Sequence, residues 1–294
     1  MAFLLFVSLI WAFSFGLIET YLSGLDANTV AFLRLGISLL VFLPFLRPRR
    51  APPGRALALV ALGAVQFGIM YAAYIASYAY LHAYEVALFT VFTPIWVTLL
   101  DDAWVRRFHP VSLLAAGLAA AGTAIVVYRG ADSAAIWHGF WLVQVANGCF
   151  AAGQVAYRRL VSGTGLGRDS AIFGWLFLGA TLVTGALVWL EPSPVRWPAG
   201  PVPWLVLGYL GAVASGLGFF LWNAGARRVN AGTLAVFNNL KVPLAVAVSL
   251  LFFGELADLP RLLAGGAVVI AALWLNERFR ARRTSPACAG SYGA

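Results

Sequence analysis

A chain of 294 residues that is 62% hydrophobic and only 11% charged lacks the polar side chains to cover a folded surface in water, so a soluble domain is excluded. Its 20 basic residues outnumber 11 acidic ones, for a net charge of +9. The basic residues sit in clusters of a few, confined to short breaks between apolar runs, which is too sparse for a nucleic-acid surface. These features define a polytopic membrane protein.

Runs of about 20 apolar residues predict helices over 2–22, 28–46, 56–81, 84–101, 110–128, 138–158, 170–190, 203–223, 231–253 and 260–277. The first run opens at Ala2 without a basic segment ahead of it and is too long for a signal peptide, so it is expected to stay as a span. The breaks carry turn chemistry, as in Ser23-Gly24-Leu25-Asp26, Ser162-Gly163-Thr164-Gly165 and Glu191-Pro192-Ser193-Pro194. Alternate breaks hold Arg47, Arg49, Arg50 and Arg55, then Arg106 and Arg107, then Arg158, Arg159 and Arg168, then Arg227 and Arg228, and lastly Arg278, Arg280, Arg282 and Arg283. The opposite breaks hold only Arg129, Arg196 and Arg261. Basic residues are retained inside, so both termini are expected in the cytoplasm.

The fold class expected is an all-α integral membrane protein of ten helices. Residues 1–130 form a first unit of five, 137–279 a second, and 280–294 a disordered tail. Five is odd, so the second unit enters the membrane inverted relative to the first, an arrangement that many secondary transporters share. Cys149 and Cys288 exclude a disulfide framework and show no metal-ligand spacing. No cofactor is expected. The run Gly63-Ala64-Val65-Gln66-Phe67-Gly68 lacks the lysine of a nucleotide-binding loop, and no catalytic constellation suggests an enzyme.

The fourth and ninth spans each carry a mid-span proline, Pro94 and Pro243. Proline frees a backbone carbonyl and weakens the helix there, so the pair reads either as two hinges for rocking or as two static kinks.

Several motifs, in their order, resemble the drug/metabolite transporter superfamily in its ten-helix type with duplicated EamA units. They are Trp11-Ala12-Phe13-Ser14-Phe15, Ala31-Phe32-Leu33-Arg34-Leu35, Pro94, and Pro243 followed by Phe252-Phe253-Gly254-Glu255. The first unit departs from the pattern by ending in Leu100-Asp101-Asp102 rather than a Gly-Glu pair, and Trp11-Ala12 replaces Trp-Gly. Within the superfamily the overall arrangement and aromatic content look most like the bacterial aromatic amino-acid exporters. That resemblance implies outward movement of aromatic and other apolar amino acids across the inner membrane, by alternating access at a central cavity. Multidrug or metabolite efflux, lipophilic cations included, is the alternative.

Polar residues inside spans carry the most information, since each is costly unless paired or facing water. Lys241, the sole lysine, lies mid-span and reads as an attractor for a substrate carboxylate or as a lysine bonded to carbonyls that a kink frees. Gln144, Asn147 and Gln154 share one helical face and line either a cavity or a helix contact. Asn238 shares a face with Lys241, and Asn223 closes the eighth span nearby. Trp11 and Ser14 share a face of the first span, although an isolated membrane serine more often bonds back to its own helix. Tyr71, Tyr74 and Tyr78 form a stripe that could wall a substrate site. Tyr80 and Tyr84, together with Trp137, Trp141, Trp189, Trp197 and Trp204, read as an interfacial belt. Glu19 and Arg34 approach the outer side of adjacent spans and read as an ion pair, or, for Glu19, as a coupling site. Glu85 and His82 are expected hydrated at the outer mouth. Membrane lipid and a small solute are the partners expected, nucleic acid is not, and a monomer suffices.

Overall fold

The computed structural model is all-helical across the residues it describes, which are 2–46, 52–104, 106, 114, 117–118, 121–122, 125, 133–161, 169–192, 195–226, 231–255 and 258–284. The helices in chain order are α1 (Ala2–Leu22), α2 (Ala27–Phe45), α3 (Pro53–Ala79), α4 (Ala83–Trp104), α5 (Ser133–Val161) and α6 (Asp169–Trp189). Next comes α7, running from Pro201–Gly208 through Tyr209–Leu217 to Gly218–Ala226, then α8 (Ala231–Phe252) and α9 (Leu259–Thr284). Among the described residues, α1, α2, α3, α4, α6 and α7 are long and apolar enough to cross a membrane. The expected fifth span lies largely outside the described residues; Leu114, Gly117, Leu118, Ala121, Gly122 and Ile125 within it are helical. The expected tail from 285 onward also lies outside them.

Local chemistry sets the helix starts. Asp26 closes the first turn by accepting from the Thr29 amide at 2.8 Å, which starts α2 where the Ser-Gly-Leu-Asp turn ends. At the head of α4, the Glu85 carboxylate accepts from the His82 amide at 2.9 Å in a capping box.

Two of the described helices carry wider turns. The stretch Ala64–Ile69 of α3 and the stretch Tyr209–Leu217 of α7 are π-helical, and such wider turns are frequent at functional sites. In α4 a 3₁₀ turn at Thr90–Phe92 precedes Pro94, whereas α8 runs through Pro243 without a break in its helix. The two prolines thus differ in their local structure.

Helices from the two ends of the chain interleave: α1 packs on α7 and α8, α2 on α6 and α7, α3 on α5 and α6, and α4 on α5 and α8. Since lipid removes the hydrophobic drive between membrane helices, close packing through small residues holds them. A Cβ on Gly63 would overlap the Leu176 carbonyl, and one on Gly179 would overlap the Val60 carbonyl. The seam between α3 and α6 therefore admits only glycine at these crossings. On the outside, Trp137, Trp141, Trp189, Trp197 and Trp204 are all exposed, as a lipid-interface belt requires. Tyr84 is not part of that belt: it is buried, whereas Tyr80 is exposed.

Candidate functional site

The interleaving leaves a central cavity with contributions from seven helices. Trp11, Ser14 and Phe15 face it from α1, Arg34 from α2, Met70, Tyr71 and Tyr74 from α3, and Thr90 and Thr93 from α4. Ala146, Asn147 and Phe150 of α5, Phe219 of α7 and Lys241 of α8 complete it. Of the residues singled out in the sequence, Trp11, Ser14, Tyr71, Tyr74, Asn147 and Lys241 thus meet in one place.

The π segment of α7 supplies acceptors. Its wider turn leaves carbonyls available to side chains, and the Trp11 indole donates to the Ala214 carbonyl at 2.8 Å while Ser38 donates to that of Gly211 at 2.7 Å. In return the Tyr209 hydroxyl donates to the Ile10 carbonyl at 3.1 Å. Trp11 is further fixed by rings at 5.1 Å and 5.0 Å, those of Phe219 and Trp222.

The kink in α4 is satisfied in the same manner. Pro94 has no N–H to give the Thr90 carbonyl, and the Thr93 hydroxyl lies 2.7 Å from it instead. The Asn147 amide donates to the Phe89 carbonyl at 2.9 Å, and its Oδ1 lies 2.9 Å from the Thr93 hydroxyl. Gln144 accepts from the Trp96 indole at 3.0 Å and from Asn147 at 3.3 Å, outside the cavity lining. Asn147 therefore lines the cavity while bracing the kink. Ser14 donates to Ile10 of its own helix at 3.0 Å, and Tyr78 lies behind the wall with its hydroxyl 2.8 Å from that of Tyr74. The side chains of Asn223 and Asn238 lie outside the described residues.

Two cations face this cavity. The Lys241 amine lies 5.7 Å from the centre of the Trp11 ring, and the Arg34 guanidinium lies 4.2 Å from that of Tyr71. Both residues are buried, and no Asp or Glu lines the cavity among the described residues.

The expected pairing of Glu19 with Arg34 is replaced by other partners. Arg34 Nε donates to the Ser215 hydroxyl at 2.7 Å. Glu19 instead reaches the head of α4, where one oxygen is 2.8 Å from His82 Nδ1 and the other accepts from the Ala83 amide. The reason is depth. Arg34 is seven residues into α2 from Ala27 and Glu19 three from the end of α1 at Leu22, which separates them by about 6 Å along the membrane normal at roughly 1.5 Å per residue.

The end of the bundle at the head of α4, assigned to the outside by the basic residues, is consequently a knot of carboxylates. Three successive amides, those of His82, Ala83 and Tyr84, are taken by Glu85, Glu19 and Glu255. Glu85 is buried there, not hydrated as the sequence suggested. Burial pushes the Glu255 carboxyl up to about 7, with the Glu19 carboxylate beside it adding to the rise and the Tyr84 amide opposing it.

The sequence reading did not place Thr90, Thr93, Phe15, Met70, Phe150 or Phe219 in the site, and it gave Arg34 a different role. The spacing Thr-x-x-Thr-Pro around Pro94 was the available signal, because a hydroxyl one residue before a proline can take the carbonyl left free four residues before it, as Thr93 takes that of Thr90.

With the geometry in place, the comparisons are direct. The family model for the EamA-like transporter family matches residues 1–128 and again 137–277. A protein named "Probable biotin transporter" from Pseudomonas aeruginosa is 46% identical over 94% of this chain and 97% of its own length. The "Biotin transporter" of Salmonella typhimurium is 39% identical over 97% of this chain and 95% of that protein. That of Escherichia coli K12 is 38% identical at the same coverage, 97% and 95%. One solved crystal structure superposes with a TM-score of 0.65 over 97% of this chain and 98% of that one at 18% identity, a likeness of fold alone. The expected kinship with aromatic amino-acid exporters is overturned, since these relatives are named for biotin. Aromatic content misled because the rings here bind one another and the cations, a use that does not depend on an aromatic substrate.

Proposed function

This chain belongs to the EamA-like transporter family, a multi-pass inner-membrane carrier of small metabolites and not an enzyme, and from that premise we propose that its substrate is biotin or a carboxylate of similar shape. The observation that carries the reading is the central cavity, where Arg34 and Lys241 face aromatic and aliphatic walls with no acidic residue among the described lining residues. Biotin has a carboxylate on a flexible apolar tail and a compact ring system with a polar urea edge. Buried cations suit the first and the Trp11, Tyr71 and Phe219 walls suit the apolar body. The names of the relatives support the same substrate. Lipophilic cations fit poorly, because two positive charges already occupy the site.

Alternating access follows from the interleaved halves, with Pro94 and its 3₁₀ turn as the hinge in α4 and Pro243 as the matching point in α8. The outward direction attached to the amino-acid exporters has no independent support and is dropped. Counterflow of labelled biotin into proteoliposomes containing the purified protein tests the proposal. Saturable uptake, blocked by unlabelled biotin and indifferent to a lipophilic cation, is expected. Uptake blocked by the cation and not by biotin would overturn it.

A further inference from the structure

Resting on the cavity being the substrate site, we infer that Arg34 is the residue that grips the substrate carboxylate, and that Lys241 contributes charge without fixing orientation. Arg34 is 2% exposed, among the largest fully buried side chains of the described residues. A buried cation is costly unless an anion or several acceptors meet it. Among the described residues, Nε donates to Ser215 at 2.7 Å while Nη1, equally buried, has no acceptor. The remaining donors of the fork are the geometry that a carboxylate takes in two parallel bonds.

The fork is held still before any substrate arrives. Tyr71 stacks its ring 4.2 Å from the guanidinium carbon and places its hydroxyl 3.0 Å from the same Ser215 oxygen, closing a triangle between α2, α3 and the π segment of α7. Below it, Ser38 lies 3.1 Å from the Arg34 carbonyl and donates to Gly211, locking this stretch of α2 to α7. A fixed planar fork orients a carboxylate, whereas a lysine on a four-carbon stem, 5.7 Å from the Trp11 ring centre, acts as a point charge. The three carboxylates at the neighbouring end of the bundle are engaged elsewhere: Glu19 with His82 and Ala83, Glu85 with His82, and Glu255 with Tyr84.

The test compares biotin with its primary amide, which keeps the rings and tail and loses the negative charge. In reconstituted protein the wild type is expected to prefer biotin over the amide by about 30-fold or more in half-saturating concentration. R34Q should erase that preference by weakening biotin alone, to within about 3-fold. K241Q should weaken biotin but retain at least a third of the preference. R34K keeps the charge and serves if R34Q does not fold; it should lose most of the preference, since an ammonium cannot replace the fork. A merely structural Arg34 would lower transport of both compounds together and leave their ratio intact, which would overturn the assignment. Wild-type protein that transports biotin and amide equally would overturn the anchor while leaving biotin transport standing. Protein that transports neither would remove the substrate reading, and this inference with it.

Discussion

The two ends of the bundle are closed by different chemistry. At the end assigned to the outside by the basic residues, carboxylates from α1, from the head of α4 and from the segment after α8 take three consecutive amides. At the opposite end the described ties between the halves run through Arg159, which pairs with Asp101 at 2.7 Å, with side chains 31% and 45% exposed, and lies 4.6 Å from the centre of the Trp104 ring. Carboxylates on shielded amides are strong bonds, while an ion pair open to water contributes about 0–1 kcal/mol. The difference teaches which end must be worked to open: among the described residues, the end assigned to the outside is latched by shielded groups and the opposite end by exposed ones.

The most damaging change to that contrast is E19A. It removes acceptors from both His82 and Ala83, at a cost of about 2 kcal/mol, or roughly a thirtyfold shift toward an open outer end. Labelling of a cysteine introduced at Tyr74 by a membrane-impermeant thiol reagent from outside should accelerate by that factor. An unchanged rate would show that the carboxylates merely cap a helix and latch nothing.

Acidity should modulate the same latch with a definite sign. Glu255, with a carboxyl raised from its ordinary 4.5 to about 7, favours the closed arrangement when protonated, so its contribution is complete below about pH 4.5 and is lost as pH rises through about 7. The groups facing it are the Glu19 carboxylate, the Tyr84 amide and Ser249. Labelling from outside should therefore quicken several-fold between pH 5 and pH 8. E255Q should flatten that part of the profile, and a variant that keeps the full slope would assign the titration to another group.

The smallest effect belongs to the inner end. D101N should raise labelling from the cytoplasmic side by no more than a few-fold, and 1 M salt should produce the same change in the wild type, because an exposed pair is screened. A tenfold or larger response would place the inner tie on a par with the outer one and abolish the contrast.

Length and composition made the helices legible, since a run such as 2–22 has no other use in a chain this apolar. The π segments were not legible: widening a turn by one residue leaves no mark in the hydrophobic pattern, and Gly63 or Gly211 reads in one dimension only as a tolerated glycine. Lys241 stood out because it is the sole lysine, and the structure puts it at the cavity. Arg34 did not, because the sequence reading set it level with Glu19, whereas it lies deeper and its face of α2 turns toward α3 and α7. Substrate class was the least legible property. An aromatic wall would serve a fused ring as readily as a benzyl group, and a buried cation would suit a carboxylate on either.

The bond between Arg34 and Ser215 spans 181 residues of chain, which bears on how the protein is made. When α2 enters the bilayer, the serine that will hold its guanidinium has not been translated. At roughly 5–20 residues per second the ribosome needs on the order of 10–40 s to deliver it. During that interval a nascent segment carries an arginine into lipid with neither Ser215 nor the π segment of α7 to receive it. Synthesis of the first 128 residues alone should therefore leave α2 poorly inserted and prone to proteolysis, and co-expression of the missing half should rescue it.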